Sequence, residues 1–260
     1  MELVPLTPVK LSCVVPVYNN SSTIRHVLSI LYENNNIDEL IVIDDASKDN
    51  SVELIEPFVR GKDKIVFLRN EHNLGKGGAV VRALKQTRYE DIFLCDADLS
   101  TFKHEHVNNL VDTYKTGKYD MVIATREVPF EETRPFGKFL ATVSGERILK
   151  KSSIEPYYDL ISGLGNGIEQ ITNFAHREKD VKIITSYGIG HIMKYSRKNP
   201  LEWTKEYVKE GYQLVKTDVK LKKQVIPTVA IGALAGVLLS FWYFSTKHNR
   251  KKSSNRLRIR

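Results

Sequence analysis

Cysteine is scarce in this sequence, which has Cys13 and Cys95 among its 260 residues. Each cysteine lies within an apolar run, which predicts two small buried side chains and excludes a scaffold stapled by disulfides. The first ten residues also lack the basic start and the long apolar stretch of a signal peptide. We therefore expect a chain that folds in a reducing compartment.

Most of the chain has almost no excess of positive charge, although the net charge of the whole sequence is +8. Residues 245–260 hold seven of the 39 basic residues and no acidic ones. Removing those seven leaves 32 basic residues against 31 acidic ones over residues 1–244. Folds that bind nucleic acid carry basic residues over one face, so the nearly neutral body predicts no nucleic-acid partner.

Long apolar runs are absent until Val225–Ser245, which contains no charged residue over 21 positions. That length is about enough for a helix to cross a bilayer, and the aromatic residues near its end suit the membrane interface. We expect a transmembrane or membrane-inserted helix at residues 224–245 and a basic tail at residues 246–260. A buried core helix is the alternative.

The same segment carries Gly232 and Gly236 in a G-x-x-x-G pattern, which predicts a helix face that could seat a second copy of the chain. Basic residues flank the segment on both sides, so its topology stays open between a single pass and a monotopic insertion. The residues before it are expected to lie in the cytoplasm, attached to the membrane through this segment.

The first 126 residues alternate strand-like and helix-like stretches, from "KLSCVVPVY" to "YDMVIATR". This rhythm predicts an α/β fold in which helices cover both faces of a mostly parallel sheet. Beyond residue 126 the rhythm is less regular. There, "LATVSGERILKK" is expected to form a short helix and "YYDLISGLGNG" a glycine-rich loop.

Polar clusters follow the predicted strands, and the last of them is "DADLST". Because ligands of parallel α/β sheets bind at the carboxyl ends of the strands, these clusters should share one site. The fourth strand, in "DIFLCDAD", is expected to run through Asp98 and to place Asp96 and Asp98 on one face. Two like charges so close favour a divalent cation between them, Mg²⁺ or Mn²⁺. A purely structural pair of aspartates is the alternative.

The segment "NLGKGGAV", residues 73–80, is rich in glycine but fits neither common phosphate motif. A Walker loop requires Ser or Thr after its lysine, and Lys76 is followed by Gly77. A dinucleotide fingerprint follows the first strand, whereas this segment follows the third. What remains is a glycine turn that opens a helix. Its free N–H groups suit a diphosphate, and a simple helix cap is the alternative.

Several segments together resemble the family 2 glycosyltransferases with the GT-A fold: "CVVPVYNNSSTI", "LIVIDDASKDNS", "NEHNLGKGGAVVRAL" and "DADLST". Within that family, "NLGKGGAV" and "YDMVIATR" look most like the polyprenyl-phosphate hexosyltransferases, which include the dolichyl-phosphate mannose and glucose synthases. "DLISGL" is similar to a D-x-x-S-G-F loop of that subgroup, and Glu202 with Gly211 is similar to its helix–strand ending.

The resemblance covers about residues 10–220 and implies one GT-A (nucleotide-diphospho-sugar transferase) domain at residues 1–223. Its nucleotide-binding half would be residues 10–126 and its acceptor half residues 127–223. The resemblance further implies a metal held by Asp96 and Asp98. It implies a nucleotide-sugar site formed by Pro16, Tyr18, Asn19, Asp44, Asp45, Asn73, Gly75, Lys76, Asp96 and Ala97.

On the acceptor side, the resemblance implies that Arg126 contacts the phosphate of a polyprenyl-phosphate lipid. Ser144 matches the serine of an R-x-x-x-S pattern that follows in that subgroup. Leu140 stands where the pattern has its arginine, so Arg134 or Lys138 would substitute for it.

Chemistry independent of the resemblance also bears on the acceptor. Transfer to a sugar hydroxyl normally needs a general base, and the sequence has no Q-x-x-R-W motif or extra carboxylate pair to supply one. A lipid phosphate is already anionic and needs little deprotonation. The expected catalytic residues are Asp98, Arg126 and Asp159, of which Asp159 is a candidate base or acceptor orienter, or else caps a loop.

We expect a metal-dependent enzyme that transfers a hexose from a donor of the UDP-glucose or GDP-mannose type to a polyprenyl or dolichyl phosphate. Alternatives are a family 2 enzyme acting on a glycan or protein hydroxyl and a catalytically silent membrane-bound relative. A nucleotidyltransferase would carry its glycine loop after the first strand, where this chain has "PVYNN". The histidines lack metal-ligand spacing, and His104 and His106 are expected to face solvent.

Overall fold

The computed structural model describes residues 8–126, 144–164 and 167–189. All of them belong to one compact unit, residues 1–196. The predicted segments at residues 200–215, 224–245 and 246–260 lie outside the described residues.

Residues 8–126 form five strands and four helices that alternate along the chain, as the sequence rhythm predicts. They are β1 Leu11–Val17, α1 Ile24–Glu33, β2 Glu39–Asp44, α2 Ser51–Val59, β3 Ile65–Arg69, α3 Gly75–Leu84, β4 Asp91–Leu94, α4 His104–Lys115 and β5 Met121–Arg126. The described residues after them add β6 Arg147–Lys150, α5 Tyr158–Leu164, α6 Ile168–Ala175 and β7 Val181–Ser186.

The seven strands described form one sheet in the order β3-β2-β1-β4-β6-β5-β7. Strand β6 runs antiparallel to both of its neighbours, β4 and β5, and the other pairs are parallel. The prediction of a mostly parallel sheet is therefore confirmed. Because β1, β2, β3 and β4 are parallel, the loops that follow them meet at one edge of the sheet.

The core lies between the sheet and the helices that cover it, and helix α1 shows how the sequence builds it. Its apolar residues recur at helical spacing, and Ile24, Val27, Leu28 and Leu31 are all fully buried. These side chains pack with apolar residues of β1 and β2 and of α4 in one cluster. Cys13 and Cys95 belong to the same cluster as free thiols, as predicted.

Two predicted elements are wrong, and both lie after residue 126. The segment "GERILKK" contributes strand β6 instead of a helix, because Ile148 and Leu149 are buried between β4 and β5 in an antiparallel ladder. The segment "YYDLISGL" forms helix α5 instead of a loop, with Ile161 buried and α5 packed against α3. In both segments tertiary packing outweighs local sequence preference.

Among the described residues, no helix combines the length and the apolar character needed to span a membrane. The segment at residues 224–245, with Gly232 and Gly236, is not part of that description.

Candidate active site

The two aspartates of "DADLST" lie in a loop just after β4. This strand ends at Leu94 and not, as predicted, at Asp98. The alternation of a strand nevertheless continues through this loop. Cys95, Ala97 and Leu99 point into the hydrophobic core and are almost fully buried. Asp96 and Asp98, which alternate with these core residues, are both partly exposed.

The side chain of Lys76, in the first turn of α3, links two carboxylates. Its Nζ lies 2.6 Å from Asp96 Oδ1 and 2.6 Å from Glu169 Oε1. The exposed fractions of these side chains are 28% for Lys76, 22% for Asp96 and 15% for Glu169. This ion-paired group, defined here as the Lys76 cluster, therefore remains accessible from solvent.

The Lys76 cluster shifts the pKa values of its own members. Burial would lower the pKa of Lys76, but Asp96 and Glu169 outweigh it and hold that pKa above its ordinary value. Burial would raise the pKa of Glu169, but the charges of Lys76 and Arg147 outweigh it and lower that pKa below its ordinary value. The ammonium and the Glu169 carboxylate are therefore both charged at neutral pH.

Arg147, at the start of β6, lies beneath the Lys76 cluster and is 1% exposed. Its guanidinium donates hydrogen bonds to the Glu169 carbonyl oxygen (3.2 Å), to Thr172 Oγ1 (2.6 Å) and to Asn173 Oδ1 (3.0 Å). It also donates to the Ser144 carbonyl oxygen. Arg147 thus joins α6 to the sheet and fixes the backbone that carries Glu169.

Gly145 allows Asp96 to approach this part of the chain closely. A Cβ atom at position 145 would lie 2.1 Å from Asp96 Oδ2, far inside van der Waals contact. Gly145, Asp96, Lys76, Arg147 and Glu169 line a small cavity together with apolar residues. The connection into β6 therefore needs a residue without a side chain where it passes the aspartate.

The charges gathered here do not balance. Asp96, Glu146 and Glu169 all act electrostatically on Arg147. Three carboxylates thus face two cationic side chains, Lys76 and Arg147. Carboxylates therefore outnumber cationic side chains in this group, which favours the approach of a further cation.

Among the residues that the structure describes, no group of three or more His, Cys, Asp or Glu side chains is arranged to hold a metal ion. Magnesium-type sites often use only one or two carboxylates and take further oxygens from substrate phosphates and water. Asp96 and Asp98 carry hard carboxylate oxygens just after the carboxyl end of β4. Their residue types and the excess negative charge fit a divalent cation.

Asp45, predicted to bind the base or ribose, holds the glycine loop in place. Its Oδ1 accepts hydrogen bonds from Asn70 Nδ2 (2.7 Å) and from the Leu74 N–H (2.8 Å). Asn73 donates to the Asp45 carbonyl oxygen and accepts from the Gly75 N–H, with Gly75 at φ +78°. Asp45, Asn73 and Gly75 therefore position the start of α3, and with it Lys76.

The loops after β1 and β2 are joined by polar side chains. Asn19 Oδ1 accepts from the Lys48 N–H (2.7 Å), and the Asn19 N–H donates to Ser47 Oγ (2.9 Å). Asp44 is fully buried at the end of β2 and lies 3.7 Å from Arg69 Nε. Tyr18 is 41% exposed beside these loops, so its ring is open to a ligand.

Pro16 lines the same cavity as Lys76. The Ala97 carbonyl oxygen accepts a hydrogen bond from Thr23 Oγ1 at 2.7 Å, which ties the aspartate loop to the start of α1. The predicted donor-site residues are thus all found around one edge of the sheet, around the loops that follow β1, β2, β3 and β4.

The predicted acceptor residues are only partly described. Arg126 ends β5, where its backbone pairs with Ser186, and Arg134 and Lys138 lie outside the described residues. Ser144 is buried, with Oγ 2.5 Å from the Ala124 carbonyl oxygen and 2.7 Å from Glu146 Oε2. Its hydroxyl therefore has protein partners on both sides, which leaves it poorly placed to meet a phosphate.

Asp159, the predicted base or acceptor orienter, is exposed on the first turn of α5 and does not line the cavity. The role of Asp159 stays a prediction, whereas the prediction that His106 faces solvent is wrong. His106 is 5% exposed, its Nδ1 accepts from the Lys103 N–H, and its Nε2 donates to the Tyr187 carbonyl oxygen at 2.9 Å. His106 therefore links α4 to the end of β7, whereas His104 stays partly exposed.

Three residues of this site escaped the sequence interpretation: Gly145, Arg147 and Glu169. The tripeptide "GER" at residues 145–147 carries a weak signal, because two charges stand directly before an apolar pair. Glu169 carries none, since an acid in the first turn of an amphipathic helix is typical of an exposed face.

With this geometry in hand, comparison with known proteins is informative. The sequence model of the family described as "Glycosyl transferase family 2" matches residues 12–199, more than half of the chain. The "Dolichyl-phosphate beta-glucosyltransferase" of Dictyostelium discoideum is 31% identical over 131 residues, which are 46% of this chain and 40% of that protein. The "Glycosyltransferase AglD" of Haloferax volcanii is 29% identical over 127 residues, 46% of this chain and 20% of that protein. The chain therefore spans less than half of the length of these relatives.

Solved structures with the same architecture include glucosyl-3-phosphoglycerate synthase from Mycobacterium tuberculosis. In its complex with Mn²⁺, uridine diphosphate and phosphoglyceric acid, the TM-score is 0.62 at 20% identity, covering 82% of this chain and 78% of that one. Its complex with Mg²⁺ and uridine diphosphate gives a TM-score of 0.62 at 21% identity, covering 82% of this chain and 79% of that one. At this identity the likeness concerns the fold, and it confirms the predicted GT-A fold.

Proposed function

Because the chain belongs to the family 2 glycosyltransferases, we propose that it transfers a hexose from a nucleotide sugar to a polyprenyl phosphate, with a divalent cation at Asp96 and Asp98. The observation that carries the proposal is the Lys76 cluster at the carboxyl end of β4, where Lys76 Nζ lies 2.6 Å from Asp96 Oδ1. The Lys76 ammonium and the loop that carries Asp96 thus lie together at the edge of the sheet where α/β proteins bind their ligands.

The donor diphosphate would lie between the start of α3 and the aspartate loop. The Lys76 ammonium and the N–H groups that follow Gly75 in the first turn of α3 are donors that suit phosphate oxygens. Asp45 and Asn73 hold that turn in place through the hydrogen bonds to Leu74 and Gly75. When bound, the cation would stabilise the negative charge of the leaving nucleoside diphosphate.

The nucleoside would lie against the loops after β1 and β2. Tyr18 offers an exposed ring there, whereas Asp44 is fully buried at the end of β2 and accepts a hydrogen bond from the Ser47 N–H, which helps to hold the loop. The backbone of this loop pair is fixed by Asn19 and its partners Ser47 and Lys48. Preorganised loops of this kind bind without a large ordering cost.

The ion pairing of the carboxylates that line the cavity supports an anionic acceptor. Among the described residues lining the cavity, Asp96 and Glu169 are the acids, and both are paired with Lys76. The lowered pKa of Glu169 makes it a poor proton acceptor, and Asp159 lies away from the cavity. A phosphate nucleophile needs no such base, whereas a hydroxyl normally does. The dolichyl-phosphate relative, at 31% identity, points in the same direction.

A product assay tests this proposal. The full-length chain, in its membranes, is given UDP-glucose or GDP-mannose with Mn²⁺ and either dolichyl or undecaprenyl phosphate, and lipid-linked sugar is measured after extraction. The matched control acceptor is the free polyprenol, which has the same chain but a hydroxyl in place of the phosphate. We expect product with a lipid phosphate and none with the polyprenol. Product with the polyprenol or with a glycan alone would overturn the proposed acceptor.

We also propose that residues 225–245 attach the enzyme to the membrane, with the GT-A domain in the cytoplasm. The support is the sequence itself, which has no charged residue over that stretch. Deleting residues 225–260 should move the protein from the membrane pellet to the supernatant after ultracentrifugation. Deleting residues 246–260 alone is the matched control and should leave it in the pellet. Persistent pelleting of the longer deletion, with the protein folded, would refute the anchor.

A further inference from the structure

Glu169 is the residue of the Lys76 cluster for which the proposed function has no task. It lies in α6, 93 positions after Lys76 in the chain, and its carboxylate shares the Lys76 ammonium with Asp96. We propose that Glu169 is a positioning residue that holds Lys76 against Asp96 and sets the balance between cation and diphosphate binding. This inference rests on the proposed donor site.

The Glu169 side chain is rigidly supported and partly reachable. Arg147, which is fully buried, donates to the Glu169 carbonyl oxygen and to Thr172 and Asn173 on the same helix. The first turn of α6 is therefore fixed to β6, and the Glu169 carboxylate is 15% exposed toward the cavity. Lys76, by contrast, is the long and flexible member of the pair.

Sharing one ammonium between two carboxylates has a consequence for phosphate binding. For Lys76 to contact a diphosphate, it must give up at least part of its contact with Asp96 or Glu169. Both contacts are 2.6 Å long, so Lys76 forms a close ion pair with each of the two carboxylates. Glu169 then keeps Arg147 as its counter-charge, while Asp96 becomes available to a cation. Glu169 thus competes with phosphate for Lys76.

Removing the charge of Glu169 should therefore raise the affinity for a nucleoside diphosphate and lower the affinity for Mn²⁺. In Glu169→Gln, Lys76 loses one competitor and the site loses one negative charge, so a nucleoside diphosphate without metal should bind more tightly. The same lost charge should weaken the binding of Mn²⁺ alone. A charge of this kind at a partly exposed site is worth about three- to tenfold in each affinity. A merely structural role would weaken both.

The experiment is calorimetric titration of the full-length chain with UDP and GDP, each in EDTA and in Mn²⁺, and with Mn²⁺ without nucleotide. The matched control is Glu178→Gln, which removes the same charge from an exposed residue outside the cavity. The control should match the wild-type protein with every probe. Thermal melts of all variants check the fold.

A second variant, Glu169→Asp, keeps the charge but shortens the side chain by one methylene. It should leave the Mn²⁺ affinity near that of the wild-type protein and tighten diphosphate binding slightly. Because Glu169→Asp keeps the charge next to Arg147, its diphosphate and Mn²⁺ affinities can test the inference if Glu169→Gln melts below the assay temperature.

The outcomes separate the two proposals. Binding of neither nucleotide by the wild-type protein, with or without Mn²⁺, would overturn the proposed function and the inference with it. Binding by the wild-type protein, with Glu169→Gln unchanged or weaker for both the nucleotide and Mn²⁺, would overturn the inference alone. Tighter nucleotide binding together with weaker Mn²⁺ binding supports it.

Discussion

Two parts of the site are built in different ways. The loops after β1 and β2 are joined by hydrogen bonds between polar residues such as Asn19 and Lys48, which are 29 positions apart. The Lys76 cluster is joined by ion pairs, and its partners Lys76 and Glu169 are 93 positions apart on different helices. The loop pair is thus a local scaffold, whereas the cluster depends on the correct packing of β6 and α6.

Because of this difference, a mutation in each part should cost a different amount of the free energy of unfolding. A lost hydrogen bond in the exposed loop pair leaves groups that water can satisfy, which costs little. A lost charge beneath the cluster leaves buried partners without compensation, which costs much more. The predictions below test this contrast from the largest effect to the smallest.

Arg147→Ala should have the largest effect on stability. It removes the buried guanidinium that joins Ser144 to α6, and it takes a positive charge away from the neighbourhood of Glu146 and Glu169. Breaking a buried pair in this way costs about 3–5 kcal/mol in the free energy of unfolding. Chemical denaturation measures it. Arg60→Ala, at an exposed position, is the control and should change stability by less than about 0.5 kcal/mol. Equal effects of the two variants would contradict the contrast.

Gly145→Ala should have a smaller effect, of about 1–3 kcal/mol of destabilisation. The added Cβ would lie 2.1 Å from Asp96 Oδ2, so either the aspartate or the β6 connection must shift. Gly163→Ala is the matched control, since Gly163 is an exposed residue of helix α5 and a Cβ there meets nothing within 4 Å. The control should be neutral or stabilising by up to about 1 kcal/mol. If both alanines stabilise the protein, the close approach at Gly145 is wrong.

Ala46→Gly should have the smallest effect and the opposite sign. Ala46 follows the paired aspartates of the second loop and has φ +59°, a left-handed conformation that costs a residue with a Cβ about 1–2 kcal/mol. Glycine avoids that cost but loses more backbone entropy, so a net stabilisation of about 0.5–1 kcal/mol is expected. Thermal unfolding measures it. Ala175→Gly, at the end of helix α6, is the control and should destabilise by a similar amount. Destabilisation by Ala46→Gly would argue against the left-handed loop.

The same contrast explains what the sequence could and could not predict. The rhythm of strands and helices, and the polar residues after each strand, are local patterns. They sufficed for the mostly parallel α/β sheet, for the buried cysteines and for the position of the polar loops at one edge of the sheet. The GT-A fold was implied by the resemblance to the family 2 glycosyltransferases. The loop after β4 keeps the alternating burial that begins in the strand.

The missed features depend on contacts between distant parts of the chain. Nothing local marks "RILK" as a strand, because its pairing partners β4 and β5 decide it. Glu169 sits on a helix whose pattern is that of a surface helix, and only packing brings it to Lys76. Asp45 Oδ1 also holds the loop that begins α3, a role that the sequence did not indicate, and the predicted ligand contact of Asp45 stays a prediction.

The central claim is that Asp96 and Asp98 bind a divalent cation that helps to hold the donor diphosphate. The most direct test is the affinity of the full-length chain for UDP and GDP with Mn²⁺ and with EDTA, in the wild-type protein and in Asp98→Asn. For the nucleotide that binds, we predict that Mn²⁺ tightens binding by about tenfold or more in the wild-type protein and has little effect in Asp98→Asn. Equal affinities with Mn²⁺ and with EDTA in the wild-type protein would contradict the claim.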